Sequence, residues 1–247
     1  MAEKTTNYQC PACTGPLHYD GASGKLVCDY CGSAYDVKDI EARYAKKQAA
    51  ADTAAEGDAN TGNNDAKSGH ATVTAGQDAT VGDVTAGGKA EITAGRDATT
   101  GAITADDGAA RVIAKNNATV NGAINGRVVR VEATEGDASL NGDATASAGH
   151  LNVMAGQDAK VAADVTLKSE TGNVSVEAGR DALVEGALGA EELAEVKAGR
   201  DATAGNLTAG RSARIIAKNN ATANGDITAS GATIRAEEGD ASVNANV

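Results

Sequence analysis

The stretch Ala94-Gly95-Arg96-Asp97-Ala98 decides how this chain is read. It returns as Ala75–Ala79, Ala155–Ala159, Ala178–Ala182 and Ala198–Ala202, with Gln replacing Arg in the first two. Variants occur at Ala114–Ala118 and Ala217–Ala221 (AKNNA), and at Glu135–Ala138 and Glu238–Ala241 (EGDA). The closing alanines fall at 79, 98, 118, 138, 159, 182, 202, 221 and 241, a period of about 20 residues. A fixed period of this length signals a repeat architecture, in which each unit buries its apolar face only against its neighbours.

Upstream of each alanine runs a β-branched column: Val73, Ile92, Val112, Val131, Val153, Val176, Val196, Ile215 and Ile234. Two residues after each of these stands another alanine, from Ala75 to Ala236. Spacing of two places both on one face of a strand. A second strand is marked by Val84, Ile103, Ile124, Val165, Leu188, Leu207 and Ile227. The pattern predicts an all-β fold: a β-solenoid of about nine coils with two strands and two turns each. Residues 45–247 contain no aromatic side chain, so the interior is expected to be thin. Gly, Asn and Asp fit the turns, where Gly takes positive φ and Asx side chains bond their own turn backbone.

The net charge is −12. Residues 1–50 balance six basic against six acidic groups, so the excess lies in the repeats. This disfavours nucleic acid or an anionic membrane as a partner of the solenoid. With no apolar leader and no membrane-spanning run, the expectation is a cytoplasmic protein.

All four cysteines lie near the start: Cys10-Pro11-Ala12-Cys13, then Cys28-Asp29-Tyr30-Cys31-Gly32. Two CxxC knuckles at this separation predict one tetrahedral Zn²⁺ on Cys10, Cys13, Cys28 and Cys31. Four thiolates leave no open position for an activated water. A redox dithiol is the competing reading. Tyr8–Asp36 resembles the zinc ribbon at the start of transcription factor B. That resemblance implies a fold and a metal, with Leu17–Asp20 and Lys25–Val27 as hairpin strands, and allows a protein partner for the ribbon. The domains expected are a zinc ribbon over 1–36, a helix (37–56) with polar linker over 37–67, and a solenoid over 68–247.

The Asx residues beside the repeat alanines suggest turn caps rather than calcium ligands, since each coil carries one. Thr72/Thr74 raises an ice-binding reading, but threonine forms no unbroken ladder. His70 and His150 occupy equivalent turns. The repeats resemble those of filamentous haemagglutinin-type adhesins over roughly 68–247, which implies their coil geometry. A short cytoplasmic β-helix is similar in architecture to the bactofilins, which implies end-to-end polymerisation.

Three functions are weighed as expectations. One is a structural protein whose subunits stack head to tail into a filament decorated by the ribbon. The second is a monomeric scaffold presenting the ribbon to a protein or nucleic-acid partner. An enzyme on a β-helix is the third and is not expected, because the repeats lack aromatic platforms. For the filament, Ala241–Val247 is expected to dock on Ser68–Gly76 of the next subunit. Ala241, Ser242, Val243 and Val247 would then meet Ser68, His70, Val73 and Ala75.

Overall fold

The computed structural model describes residues 8–40, 52–66 and 69–246. It divides into two units, Met1–Ala49 and Ala50–Val247. The smaller holds an antiparallel sheet of β1 (Leu17–Asp20), β2 (Lys25–Cys28) and β3 (Ala34–Asp36). A helical segment continues the chain at 37–40, and its Ile40 is buried.

The larger unit is a β-solenoid of parallel strands. It begins earlier than the repeat motif suggests. β4 (Asp52–Ala55), β5 (Ala59–Thr61) and β6 (Asn64–Ala66) form its first coil. They pair in parallel with β7 (Ala71–Ala75), β8 (Ala79–Val81) and β9 (Val84–Ala86). The expected helix over 37–56 is therefore corrected at its end, where Asp52–Ala55 is a strand. Residues 41–51 lie outside the described residues. The expected polar linker that follows is likewise part of this coil, which turns Ala55, Ala59 and Ala66 inward but holds Thr53, Thr61 and Asn64 where the next coil has Val73, Val81 and Val84, and these polar residues hid it.

Each coil has three strands rather than two, and the strands stack into three sheets of ten, ten and nine. The nine complete coils among the described residues are followed by two strands of a tenth, Gly231–Ala236 and Ala241–Val243. The alanine that closes each turn motif starts the additional strand and points inward. Ala98, Ala118, Ala138 and Ala202 are each at most 1% exposed.

The core is a set of stacked columns, small at the coil corners and large at mid-face. In one coil it reads Ala90, Ile92, Ala94, then Ala98, Thr100, then Ile103, Ala105, all buried. The large positions compensate for one another in volume. Where the third face carries Ala144, the second carries Leu140; where the second carries Ala204, the third carries Leu207. Dense packing requires this, because a void forfeits contacts on all its walls. The coil after Ala159 is longest, and its extra residues move the third-face position to Leu167, which pairs with Ala144 and Leu188. Val165, the expected marker, is buried just before that strand.

Hydrogen bonds between turns lock the coils. Each Asx side chain accepts from the backbone amide of the equivalent residue one coil later, not from its own turn. Asp97 N–H donates to Asp78 Oδ1 (3.1 Å), Asn117 N–H to Asp97 Oδ1 (3.0 Å) and Asp137 N–H to Asn117 Oδ1 (3.0 Å). The series runs from Asp58 to Asp240. His70 and His150 make the same kind of bond, accepting through Nδ1 from Lys89 N–H (2.8 Å) and Asn173 N–H (3.1 Å). Arginine clamps the acids backwards: Arg96 Nε donates to Asp78 (2.6 Å), Arg180 Nε to Asp158 (2.7 Å) and Arg200 Nε to Asp181 (2.7 Å). From Gly76 onward the turns also leave little room beside their glycines. A Cβ on Gly95 would stand 2.1 Å from the Gly76 carbonyl oxygen.

Candidate metal centre

The two knuckles are built alike. Thr14 N–H donates to Cys10 O (2.8 Å), and Gly32 N–H donates to Cys28 O (3.0 Å). Both Thr14 (φ 60°) and Gly32 (φ 68°) are left-handed. Gly32 adopts this freely. The β-branched Thr14 does so at a cost of about 1–2 kcal/mol, which the knuckle turn has to hold. Gly15, next in the chain, has no space for a side chain: its Cβ would meet the Tyr30 ring at 2.2 Å and Cys28 Sγ at 3.2 Å.

These turns, carried by the β1–β2 hairpin, bring Cys10, Cys13, Cys28 and Cys31 together with their sulfurs all within 4.8 Å of one another. Cys10 and Cys31 are 3.5 Å apart and Cys13 and Cys28 3.4 Å. A zinc ion about 2.3 Å from each of four tetrahedral sulfurs sets them roughly 3.8 Å apart. The donor set therefore fits Zn²⁺ in size and chemistry. Cys10 and Cys28 are buried, Cys13 and Cys31 exposed.

Two contacts that the cysteine spacing does not announce complete the site. The Tyr35 hydroxyl lies 3.5 Å from Cys10 Sγ, and Ser33 Oγ lies 3.3 Å from Cys31 Sγ. Both residues come from the segment entering and forming β3, so they reach the sulfurs only once that strand folds back. The Tyr35 hydroxyl draws the Cys10 thiol down to about 6. At Cys13 the Gly15 amide favours the thiolate, but the protons shared with Cys28 and Cys31 push the group up to about 12. Without a cation, four thiols this close cannot all ionise. A divalent metal removes that conflict, which is why such a cluster stabilises a fold only when loaded. His18 is not a ligand; its Nδ1 lies 2.8 Å from Asp29 Oδ1.

The residues expected at an assembly interface lie elsewhere. Ala241, Ser242 and Val243 form the last described strand, with Val243 46% exposed. Ser68 and Val247 lie outside the described residues. Val73 and Ala75 are buried in β7, and the edge expected to receive another subunit is already paired with β4. His70 sits at the turn just before β7. Among the described residues, no helix is long and apolar enough to cross a membrane.

Comparison with known proteins bears on the ribbon. A UPF0434 protein of Burkholderia multivorans is 53% identical over 30 residues, which is 12% of this chain and 47% of that protein. UPF0434 proteins of Burkholderia cenocepacia and Burkholderia vietnamiensis are 50% identical over 30 residues, covering 47% and 45% of their lengths. This chain thus spans about half the length of the curated relatives it matches. No solved structure matches it. Residues 9–39, which hold all four cysteines together with Ser33 and Tyr35, match the Trm112p-like protein family, so the chain joins a Trm112p-like zinc-binding segment to a β-solenoid.

Proposed function

We propose that this protein is a non-catalytic, self-assembling scaffold. Its solenoids associate head to tail into a cytoplasmic filament, and the Trm112p-like ribbon, loaded with zinc, decorates it and receives a protein partner. The observation that carries this reading is the exposure of apolar columns in the last described coil. Ile215 and Ala223 are fully buried in the ninth coil. In the tenth, Ile234 is half-buried and Val243 is 46% exposed, although both occupy the same inward columns. Such an edge offers apolar columns and unpaired backbone groups in a register set by the coils behind it. All described strands of the solenoid run parallel, so its two ends differ and a coaxial contact between them propagates instead of closing.

A four-thiolate donor set supports a structural rather than catalytic metal, because it holds no position for water or substrate. Thiolate ligation also suits a reducing compartment. As a second reading, the ribbon of a monomeric scaffold docks a partner through its exposed aromatics, Tyr19 (62%) and Tyr30 (78%).

Analytical ultracentrifugation and electron microscopy of the zinc-loaded chain over a concentration series test the proposal. Growing linear species are expected, and Val243→Lys should abolish them without loss of β-sheet circular dichroism. A wild-type chain that stays monomeric up to high concentration overturns it.

A further inference from the structure

The first and last described coils carry the same turn. Glu56-Gly57-Asp58-Ala59 and Glu238-Gly239-Asp240-Ala241 share it with one internal coil, Glu135-Gly136-Asp137-Ala138. Its downstream neighbour is constant too. The coil after Ala59 bears Ala75-Gly76-Gln77-Asp78-Ala79, and the coil after Ala138 bears Ala155-Gly156-Gln157-Asp158-Ala159. In both places the pairing is the same: Ala59 with Ala79 and Thr61 with Val81, and Ala138 with Ala159 and Leu140 with Val161. An EGDA coil thus seats on an AGQDA coil twice in this molecule. The third EGDA coil, at 231–246, has no such neighbour among the described residues.

The coil that now occupies β7–β9 is a poor fit for them. Opposite Val73, Val81 and Val84 it places Thr53, Thr61 and Asn64. All three are partly exposed, whereas the residues they cover are at most 4% exposed. The last coil carries Ile234 and Val243 in the first two of those columns. A polar terminal repeat is how a solenoid protects its end.

We infer that β4–β6 form a removable cap, and that the occupant which displaces them is the Gly231–Asn246 coil of a second copy. In the exchanged contact Ile234 covers Val73, Ala241 pairs with Ala79 and Val243 covers Val81. Asp240 Oδ1 then accepts the Asp78 amide in place of Asp58 Oδ1, which now holds it at 3.1 Å. The contact repeats the internal junction between Ala138 and Ala159, with the same register and polarity. This inference rests on the head-to-tail assembly proposed above and specifies which edge receives the incoming coil.

The test uses the full zinc-loaded chain. First, Thr53→Val, Thr61→Val and Asn64→Val combined strengthen the cap by filling its inward columns. If the cap must leave, the concentration needed for assembly should rise by about tenfold or more, since apolar burial would now favour the closed form. If copies simply stack on the cap, this variant assembles as the wild type does or more readily, and the inference fails. Second, intercopy cross-linking reads the register. Ser242→Cys with Thr80→Cys should cross-link between copies, with the wild-type chain run beside it as the control for the native thiols. Efficient linking of Ser242→Cys with Asn60→Cys instead would overturn cap exchange while leaving the filament intact. Absence of any assembly in the wild type would refute the filament itself.

Discussion

Thr100 shows how finely one side chain can be placed in this core. It is 1% exposed, in a column where the coils on either side carry Val81 and Val120, and its Oγ1 has no hydrogen-bond partner among the described residues. Thr100→Val keeps the shape and removes a polar atom that is dehydrated without compensation. It should stabilise the solenoid by about 1 kcal/mol, seen as a higher denaturant midpoint. The same column explains what the sequence reveals and what it conceals. Val73, Ile92 and Val112 are visible because β-branched residues recur beside alanines at spacing two. The second-face strand is hidden, because its first inward residue is the alanine that also ends the turn motif, and because the column holds Thr100, Ala204 and Ala223 among its valines. The four cysteines are legible outright, whereas Tyr35 and Ser33 gain their roles only through the fold of β3.

At the scale of the turn, Arg–Asp clamps tie three coils to the ones before them. The Arg96 guanidinium beside Asp78 holds that carboxyl below the usual carboxylate range, and Arg180 does the same at Asp158. Because the folded value lies below the unfolded one, these clamps add stability above the ordinary carboxylate range. They lose it as the pH falls through the folded value. Acid unfolding followed by circular dichroism should therefore start at higher pH in an Arg96→Ala, Arg180→Ala variant, with little change near neutrality after screening by salt. The AGQDA and AGRDA variants thereby acquire a physical meaning: the position before the Asp decides whether the acid of the preceding coil is clamped. Coil 52–66 is concealed in the sequence for a different reason, since its inward residues Thr53, Thr61 and Asn64 suit a linker as well as a strand.

For the molecule as a whole, the two units should respond separately to metal. The small unit buries only Cys10, Leu26, Cys28 and Ile40 among its described apolar residues, too little for independent stability without a staple. The solenoid has a continuous core from Ala59 to Ile227. A strong chelator should abolish the tyrosine near-ultraviolet signal of the small unit, while the far-ultraviolet β-sheet spectrum and its thermal transition persist. Elemental analysis of protein purified without chelator should show one zinc per chain.

The forward-reaching Asx bonds carry a consequence for the order in which the chain acquires its structure. The acceptor for each Asx-position amide belongs to the coil synthesised earlier: Asp58 for Asp78, Asp78 for Asp97, and onward to Asn220 for Asp240. A coil leaving the ribosome meets a side-chain acceptor already set, and the side-chain acceptor it contributes serves the coil still to come, while its turn carbonyl satisfies the alanine amide of the coil before it, as Asp97 O does for Ala79 N–H. The Asx ladder can thus be completed in the direction of translation. Chains shortened coil by coil from the C-terminus should keep the protection of their remaining Asx-position amides in hydrogen exchange and lose it at the alanine that follows the last of them, whereas removal of coils from the N-terminus should expose the Asx-position amide of the first coil left behind.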